Sequence, residues 1–365
     1  MARLSVHLVA WNGAKYIPYL FESLRKQTYK DWELLAIDNN SQKDNTADLI
    51  EQELKNFTIP ARLIRNKENN GFAGGHNQGV QMSLRSTGRP SASQWGPEYI
   101  QLLNQDIYLA PDYFARVVAM MDAHPEAGAG QGLLLRWHNP TQPPLNLRGG
   151  EEGLSDVVDT MGLKVMRNRR VVDFRTGEDA EGLSFSIIKD SPLAVAVFGV
   201  SGALPIYRRK AIEDIAFEGN MFDDEFGSYK EDVDLAFRLR SAGWKAYVAT
   251  SACAWHDRTA AGPQEITDRA ALHNRKGRPN YVNYYSYRNH LVVLLKNEHR
   301  ANFAKDWPWI LWYEFKKCVY LFFTDWGTLK GLQDINRRWP AIKAKRAYVM
   351  KHYKIRPGEM RKWYV

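Results

Sequence analysis

Short apolar runs alternate with amphipathic stretches through the first 125 residues. Residues 4–10 (LSVHLVA) read as a buried strand, and Asn12-Gly13 turns the chain into a helical stretch at 16–27. A second strand at 32–37 ends in Asp38-Asn39-Asn40-Ser41, and a helix covers 46–56. A third strand lies at 61–65, and residues 77–86 continue as helix after a glycine-rich turn. A fourth strand at 99–103 stops at Asn104-Gln105-Asp106, with a helix from about 111 to 124. This βαβαβαβ order predicts an α/β fold: right-handed crossovers and a mainly parallel sheet flanked by helices. Ligands of such sheets gather beyond the carboxyl ends of the strands, where the polar clusters fall.

The pattern loosens over 136–190, with Pro140, Pro143, Pro144, Gly149 and Gly150 ahead of a charged stretch at 167–170. This irregular excursion reads as a lid or acceptor region rather than core. Regularity returns at 194–199, continues through a helix at 232–242, and closes with a strand at 246–249. No repeat of fixed period interrupts the chain.

Composition narrows the class. Two cysteines, Cys253 and Cys318, exclude a disulfide framework and a four-cysteine zinc site. The N-terminal residues lack the apolar core of a signal peptide, and no uncharged run reaches about 18 residues, so a cytoplasmic protein without a membrane span is expected. Charge is uneven: residues 1–287 hold 33 Lys/Arg against 35 Asp/Glu, whereas residues 288–365 hold 17 against 6. Six of the 12 tryptophans also lie in that tail. The expected organisation is an α/β unit at 1–287 and a basic, Trp-rich helical extension at 288–365. Cations mixed with aromatic residues suit an anionic lipid surface; a helical tail packed on its own domain explains them equally well. No helix-turn-helix, zinc-finger or RNP pattern points to nucleic acid, and none is expected as partner.

Several polar groups carry candidate chemistry. Asp38, at a strand end, can accept a hydrogen bond from a ligand ring N–H, or form a turn capping the next helix. The segment 70–79 holds four glycines in nine residues, which lets backbone approach a ligand at a helix start, or simply makes a loop. Asp106 suits a hard cation shared with substrate phosphates, or a helix cap ahead of Pro111. The densest acidic clusters are Asp223-Asp224-Glu225 and Glu231-Asp232-Val233-Asp234. An acidic first helical turn is expected from the macrodipole alone, but a carboxylate at that helix mouth can also serve as a general base. His256 follows the closing strand and can bind a metal or phosphate.

In order as well as content, these pieces resemble the family 2 glycosyltransferases of the GT-A (Rossmann-like) fold, most closely their bacterial rhamnosyltransferase-like members. The resemblance runs from residue 4 to about 257, through Val9-Ala10-Trp11-Asn12, Ile37-Asp38-Asn39-Asn40-Ser41, residues 70–79, Leu103-Asn104-Gln105-Asp106, residues 198–203, 222–226 and 229–235, Arg238, Gly243-Trp244 and His256. It implies that Asp38 holds the nucleobase, while Ala10, Asn12, Gly71, Gly74, Asn77, Asn104 and Gln105 line the donor site. Asp106 stands for the surviving carboxylate of the family's DXD motif, whose first position is Asn104 here; with His256 it would hold Mg²⁺ or Mn²⁺. Asp232 would be the catalytic base and Glu231 its neighbour on the acceptor hydroxyl. The implied activity is inverting transfer of a sugar, dTDP-L-rhamnose leading as donor, to a glycan or lipid-linked glycan at the inner face of the membrane. A UDP-sugar-dependent transferase is the alternative. A nucleotidyltransferase ranks lower because Trp11-Asn12-Gly13-Ala14-Lys15 lacks a glycine-rich basic loop, and a non-catalytic binder because both acidic residues are present.

Overall fold

Six strands sharing one direction organise the protein. A computed structural model describes residues 2–85, 96–137, 154–180, 194–258 and 275–365. Strand β1 (Leu4–Ala10) lies between β2 (Trp32–Asp38) and β4 (Tyr99–Asn104), parallel to both, and β3 (Ala61–Arg65) extends β2. The sheet runs in the order β10-β12-β6-β11-β4-β1-β2-β3. Here β6 is Ala127–Trp137, β10 Val195–Val197, β11 Ile206–Arg208 and β12 Lys245–His256. Short β11 is antiparallel to β4 and β6, so β6, and β12 parallel to it, keep the direction of β1. Strands covered on both faces need near-continuous apolar sequence, and β1, β2 and β4 are buried almost throughout.

Helices α1 (Ile17–Arg25), α2 (Thr46–Leu54), α3 (Gly71–Arg85) and α4 (Tyr113–Ala123) cross between these strands. Two expectations change. The glycine-rich segment is not a loop before a helix at 77: α3 begins at Gly71, whose φ of +71° turns the chain into it. Its glycines serve contact with the sheet, since a Cβ on Gly75 would stand 2.9 Å from Val9 Cγ1. Strand β6 was not expected, because alternating Gly128, Gly130 and Gly132 argue against a strand by propensity. Tertiary packing overrides propensity there: a Cβ on Gly132 would lie 2.3 Å from Ala252 O and 2.4 Å from Tyr113 Cε2.

The irregular excursion is partly built structure. Residues 154–180 contribute β7 (Leu154–Thr160), antiparallel to β6, and the hairpin of β8 (Leu163–Val165) and β9 (Val171–Asp173); the prolines at 140–144 and Gly149-Gly150 lie outside the described residues. Helix α5 (Arg209–Ile215) follows β11, and α6 (Glu231–Ser241) precedes β12. The extension is helical: α7 (Asn280–Asn297), α8 (Arg300–Thr324), α9 (Trp326–Arg337), α10 (Trp339–Lys351) and α11 (Pro357–Arg361). Position 288 falls inside α7. Val292, Val293, Ile335, Ile342 and Met360 share a core with Val165, Phe198, Phe226, Val233 and Phe237. Buried Arg169 ties the excursion to the extension through Glu298 (2.7 Å) and Asp306 (3.1 Å). No helix among the described residues is long and apolar enough to cross a membrane.

Candidate active site

Strand pairing assembles one end of the site. After β4, Asp106 leads into β5 (Ile107–Leu109), which pairs antiparallel with the end of β12 and sets His256 opposite Ile107. His256, the last residue of β12 rather than a residue beyond it, places Nε2 3.5 Å from Asp106 Oδ1. Its Nδ1 lies 2.9 Å from Asp159 Oδ2, brought in by β7. Burial alone would lower the His256 imidazole, but Asp106 and Asp159 outweigh it and push it up to about 10. Arg258 reaches Asp173 (2.7 Å) and Asp159 (3.6 Å), so the second carboxylate is shared between two cations. Asp106 caps no helix; α4 starts from Asp112.

The other end is the mouth of α6. A 3-10 turn at Asp224–Phe226 leads into Gly227, Tyr229 and Lys230, with φ of +66°, +71° and +71°. Two consecutive non-glycine residues in the left-handed region are costly, and such strain gathers at functional sites. The turn delivers Glu231 and Asp232 as the first residues of α6. Asp232 Oδ2 accepts the Gly202 N–H (3.1 Å) and Oδ1 the Val233 N–H (2.8 Å). Glu231 Oε2 is buried without a hydrogen-bond partner. Burial raises both carboxyls; the Asp232 charge raises Glu231 further, and Lys230 partly offsets the rise at Asp232.

The rest of the acidic cluster is structural. Asp234 is fully buried and paired with Arg238 (2.8 Å) and Lys296 (2.9 Å), and Asp223 with Lys296 (2.8 Å) and Lys345 (2.6 Å).

A cavity of about 830 Å³ joins the two ends. Asn104, Asp106, Glu231, Asp232 and His256 line it together, with Phe72 of α3. Tyr287 and His290 of α7 and Tyr313, Lys317 and Tyr320 of α8 close the far wall. That volume lies at the upper end of the roughly 300–1,000 Å³ usual for ligand sites. Ala10, Asn12, Asp38, Gly71, Gly74, Asn77 and Gln105 are not in its lining. Ala10 and Asp38 pair in register at the ends of β1 and β2, and Asn12 Oδ1 accepts the Gln42 and Lys43 N–H groups (both 3.1 Å). Asp38 Oδ2 accepts the Ser41 N–H (3.2 Å), the turn role, while its buried Oδ1 has no hydrogen-bond partner. Gln105 binds the Trp11 backbone (2.8 and 3.1 Å). Asn77 is buried and fixes α3 to Phe222 O (2.9 Å) and Asp224, so it is a brace rather than a cavity group. Gly71 and Gly74 shape the start of α3, with a Cβ on Gly71 meeting Gly227 O at 3.0 Å.

A divalent cation fits the Asp106 end chemically. Asp106 Oδ1 is buried without a hydrogen-bond partner and faces an imidazole nitrogen, and oxygen with imidazole suits Mn²⁺ or, less well, Mg²⁺. Among the described residues no group of three or more His, Cys, Asp or Glu could hold a metal, so the protein's two donors would need substrate oxygens to complete the coordination.

Sequence reasoning missed Asp159, Asp173, Arg258 and the α8 part of the wall; the α7 segment around Tyr287 and His290 has its sequence signal in the aromatic run at 284–290. Asp159 sits in an apolar strand segment, Val157-Val158-Asp159-Thr160, which was its available signal; its partner is set by the β6–β7 register.

A mainly parallel sheet with an Asp–His pair at its strand ends, and a carboxylate pair at a helix mouth on the same cavity, defines an α/β protein of the GT-A fold. Residues 5–215, more than half of the chain, match the family model described as glycosyl transferase family 2, and the chain belongs to that family. It is 24% identical over 278 residues to the N-acetylglucosaminyl-diphospho-decaprenol L-rhamnosyltransferase of Mycobacterium tuberculosis, strains CDC 1551 / Oshkosh and ATCC 25618 / H37Rv, spanning 74% of this chain and 81% of that protein. Among solved structures it is similar to GalNAc-T7 with UDP, GalNAc and Mn²⁺ at a TM-score of 0.54 and 14% identity; the match covers 81% of this chain and 48%, about half, of that one. The crystal structure of S. aureus TarS matches at a TM-score of 0.48 and 16% identity, over 96% of this chain and 54% of that one.

Proposed function

We propose that the chain is an inverting, metal-dependent glycosyltransferase that moves a sugar from a nucleoside diphosphate to an acceptor hydroxyl, with Asp232 as general base. One observation carries this reading: Asp232, its carboxyl raised by burial and held in place by the Gly202 and Val233 N–H groups, shares a cavity with Asp106 and His256. Asp232 takes the proton of the acceptor hydroxyl as that oxygen forms its bond to the anomeric carbon, and the bond to the diphosphate oxygen breaks on the opposite face. Glu231, its carboxyl pushed up by burial and by the Asp232 charge, stands beside the base on the acceptor hydroxyl. Asp106 and His256 would hold Mg²⁺ or Mn²⁺, which would supply charge neutralisation to the departing diphosphate. Asp38 receives the ring N–H of the base, and Ala10, Asn12, Asn104 and Gln105 shape the donor side. Asp159 orients His256.

The donor we propose is dTDP-L-rhamnose, with a UDP-sugar as the alternative. The acceptor is a glycan or lipid-linked glycan in cell-surface polysaccharide synthesis, met peripherally at the inner, anionic face of the membrane. Its support is the L-rhamnosyltransferase name of the 24%-identical relative and the basic extension. The test is a panel of dTDP-, UDP- and GDP-sugars with Mg²⁺ or Mn²⁺. A thermal shift with one nucleotide and turnover of its sugar are expected. No shift and no turnover with any of them would overturn the reading.

A further inference from the structure

Helix α8 has two opposed faces, and one of them ends in solvent. Trp307, Leu311, Trp312, Phe315, Val319, Phe322 and Phe323 are all exposed, Trp312 and Phe315 at 60% and Phe323 at 77%. At 100° per residue they occupy a single arc of about 160°, running some 24 Å along the axis. Trp326 of α9 continues the patch, its ring 4.8 Å from Phe322. From the opposite arc, Tyr313, Lys317, Tyr320 and Leu321 face the catalytic cavity. An apolar patch of this kind is rare on a protein that stays free in water.

We infer that α8 seats the protein on an anionic lipid bilayer, its outer arc embedded at the interface and its inner arc serving as the wall of the acceptor site. Charge complementarity selects this occupant. The extension carries 17 Lys/Arg against 6 Asp/Glu. Between Trp307 and Phe323 the single acid is Glu314, which lies on the inner side, 2.6 Å from His290. Exposed Lys305 and Lys330 flank the arc. Tryptophans at both its ends, Trp307 and Trp326, have the amphipathic character that favours the headgroup boundary. A second copy of the chain on this face would bring two cationic extensions together, an arrangement that like charge opposes. An acceptor anchored in the same bilayer then reaches Tyr313 and Lys317 without leaving the lipid. That consequence rests on the proposed glycosyl transfer to a lipid-linked acceptor; the docking does not.

The full chain is sedimented with vesicles of phosphatidylcholine and phosphatidylglycerol in equal parts, and with phosphatidylcholine alone. We expect binding to the mixed vesicles, weaker binding to the neutral ones, and loss on the order of 100-fold or more in the combined Trp312→Gln, Phe315→Ser and Phe323→Ser variant. Phe323→Ser alone gives an intermediate loss, and both variants keep the wild-type unfolding temperature because these side chains stand in water. Wild-type protein left in the supernatant with both vesicles, or a triple variant that binds equally well, overturns the inference. So does a dimer in light scattering that the triple variant converts to monomer. Turnover of a sugar nucleotide without vesicle binding removes the docking and leaves the transferase reading; vesicle binding without turnover of any sugar nucleotide does the reverse.

Discussion

Glu231 and Asp232 are two carboxyls that burial makes harder to ionise in the folded chain than in the unfolded one. A carboxyl raised on folding costs no stability below its unfolded value, near 4, and costs progressively more as pH climbs through its folded value. Glu231→Gln should therefore unfold at higher temperature than wild type, the gain growing from pH 5 to pH 8 in parallel melting curves, and Asp232→Asn should show a gain of the same sign above pH 4. Asp232→Asn should also lower kcat by about 10²–10⁴-fold, the range of a lost general base. At the other end of the cavity, Asp159 fixes His256 through Nδ1 (2.9 Å). Asp159→Asn should weaken Mn²⁺ binding about 10–100-fold, read by calorimetry with nucleoside diphosphate present. The reactive residues differ in how far the chain alone exposes them. Asp106 follows a strand, His256 ends one, and Glu231 and Asp232 open a helix, so position in sequence marks them. Asp159 and Arg258 act through partners fixed by strand register, which no spacing along the chain encodes.

At the scale of elements, hydrophobic alternation revealed β1 to β4 and α1, α2 and α4 within a few residues, because all of them except β3, an edge strand with exposed and half-buried residues, bury an apolar stripe large enough to show. It failed at β6 and at the start of α3 for one physical reason: glycines that look like loop serve close packing. Gly132→Ala puts a methyl against both Ala252 O and the Tyr113 ring. We expect a loss of about 1–3 kcal/mol in urea unfolding, with the slope unchanged. The opening of α6 carries a different tension, since Tyr229 and Lys230 both hold positive φ. Asn289 holds that turn, its Nδ2 donating to Ser228 O (3.0 Å) and Tyr229 O (2.7 Å).

Over the whole molecule, the basic extension is less a tail than a second half of the core. Lys296 sits between Asp223 and Asp234, with all three side chains nearly inaccessible. Lys296→Met takes one of two cationic partners from each of two buried carboxylates, leaving Asp223 to Lys345 and Asp234 to Arg238, and a loss of about 3 kcal/mol is expected in denaturant unfolding. Burial would raise Asp223, but Lys296 and Lys345 outweigh it and hold the carboxyl well below its ordinary range. Stability from this group is present above its unfolded value near 4 and disappears as pH falls through the folded one, so acid unfolding of wild type should steepen below pH 4, and less so in Lys296→Met. The charge asymmetry between residues 1–287 and 288–365 is visible in sequence. Which cations face inward to Asp223, Asp234 and Asp306, and which aromatic residues are left facing out, is decided by helix packing and had to be seen. The account stands most directly on one measurement: nucleoside diphosphate released from a sugar nucleotide by the wild-type chain and by Asp232→Asn, with Mn²⁺ present. Release from one donor, reduced at least about 100-fold in the variant, is the predicted result; equal release from both proteins would contradict the assignment of Asp232 as the base.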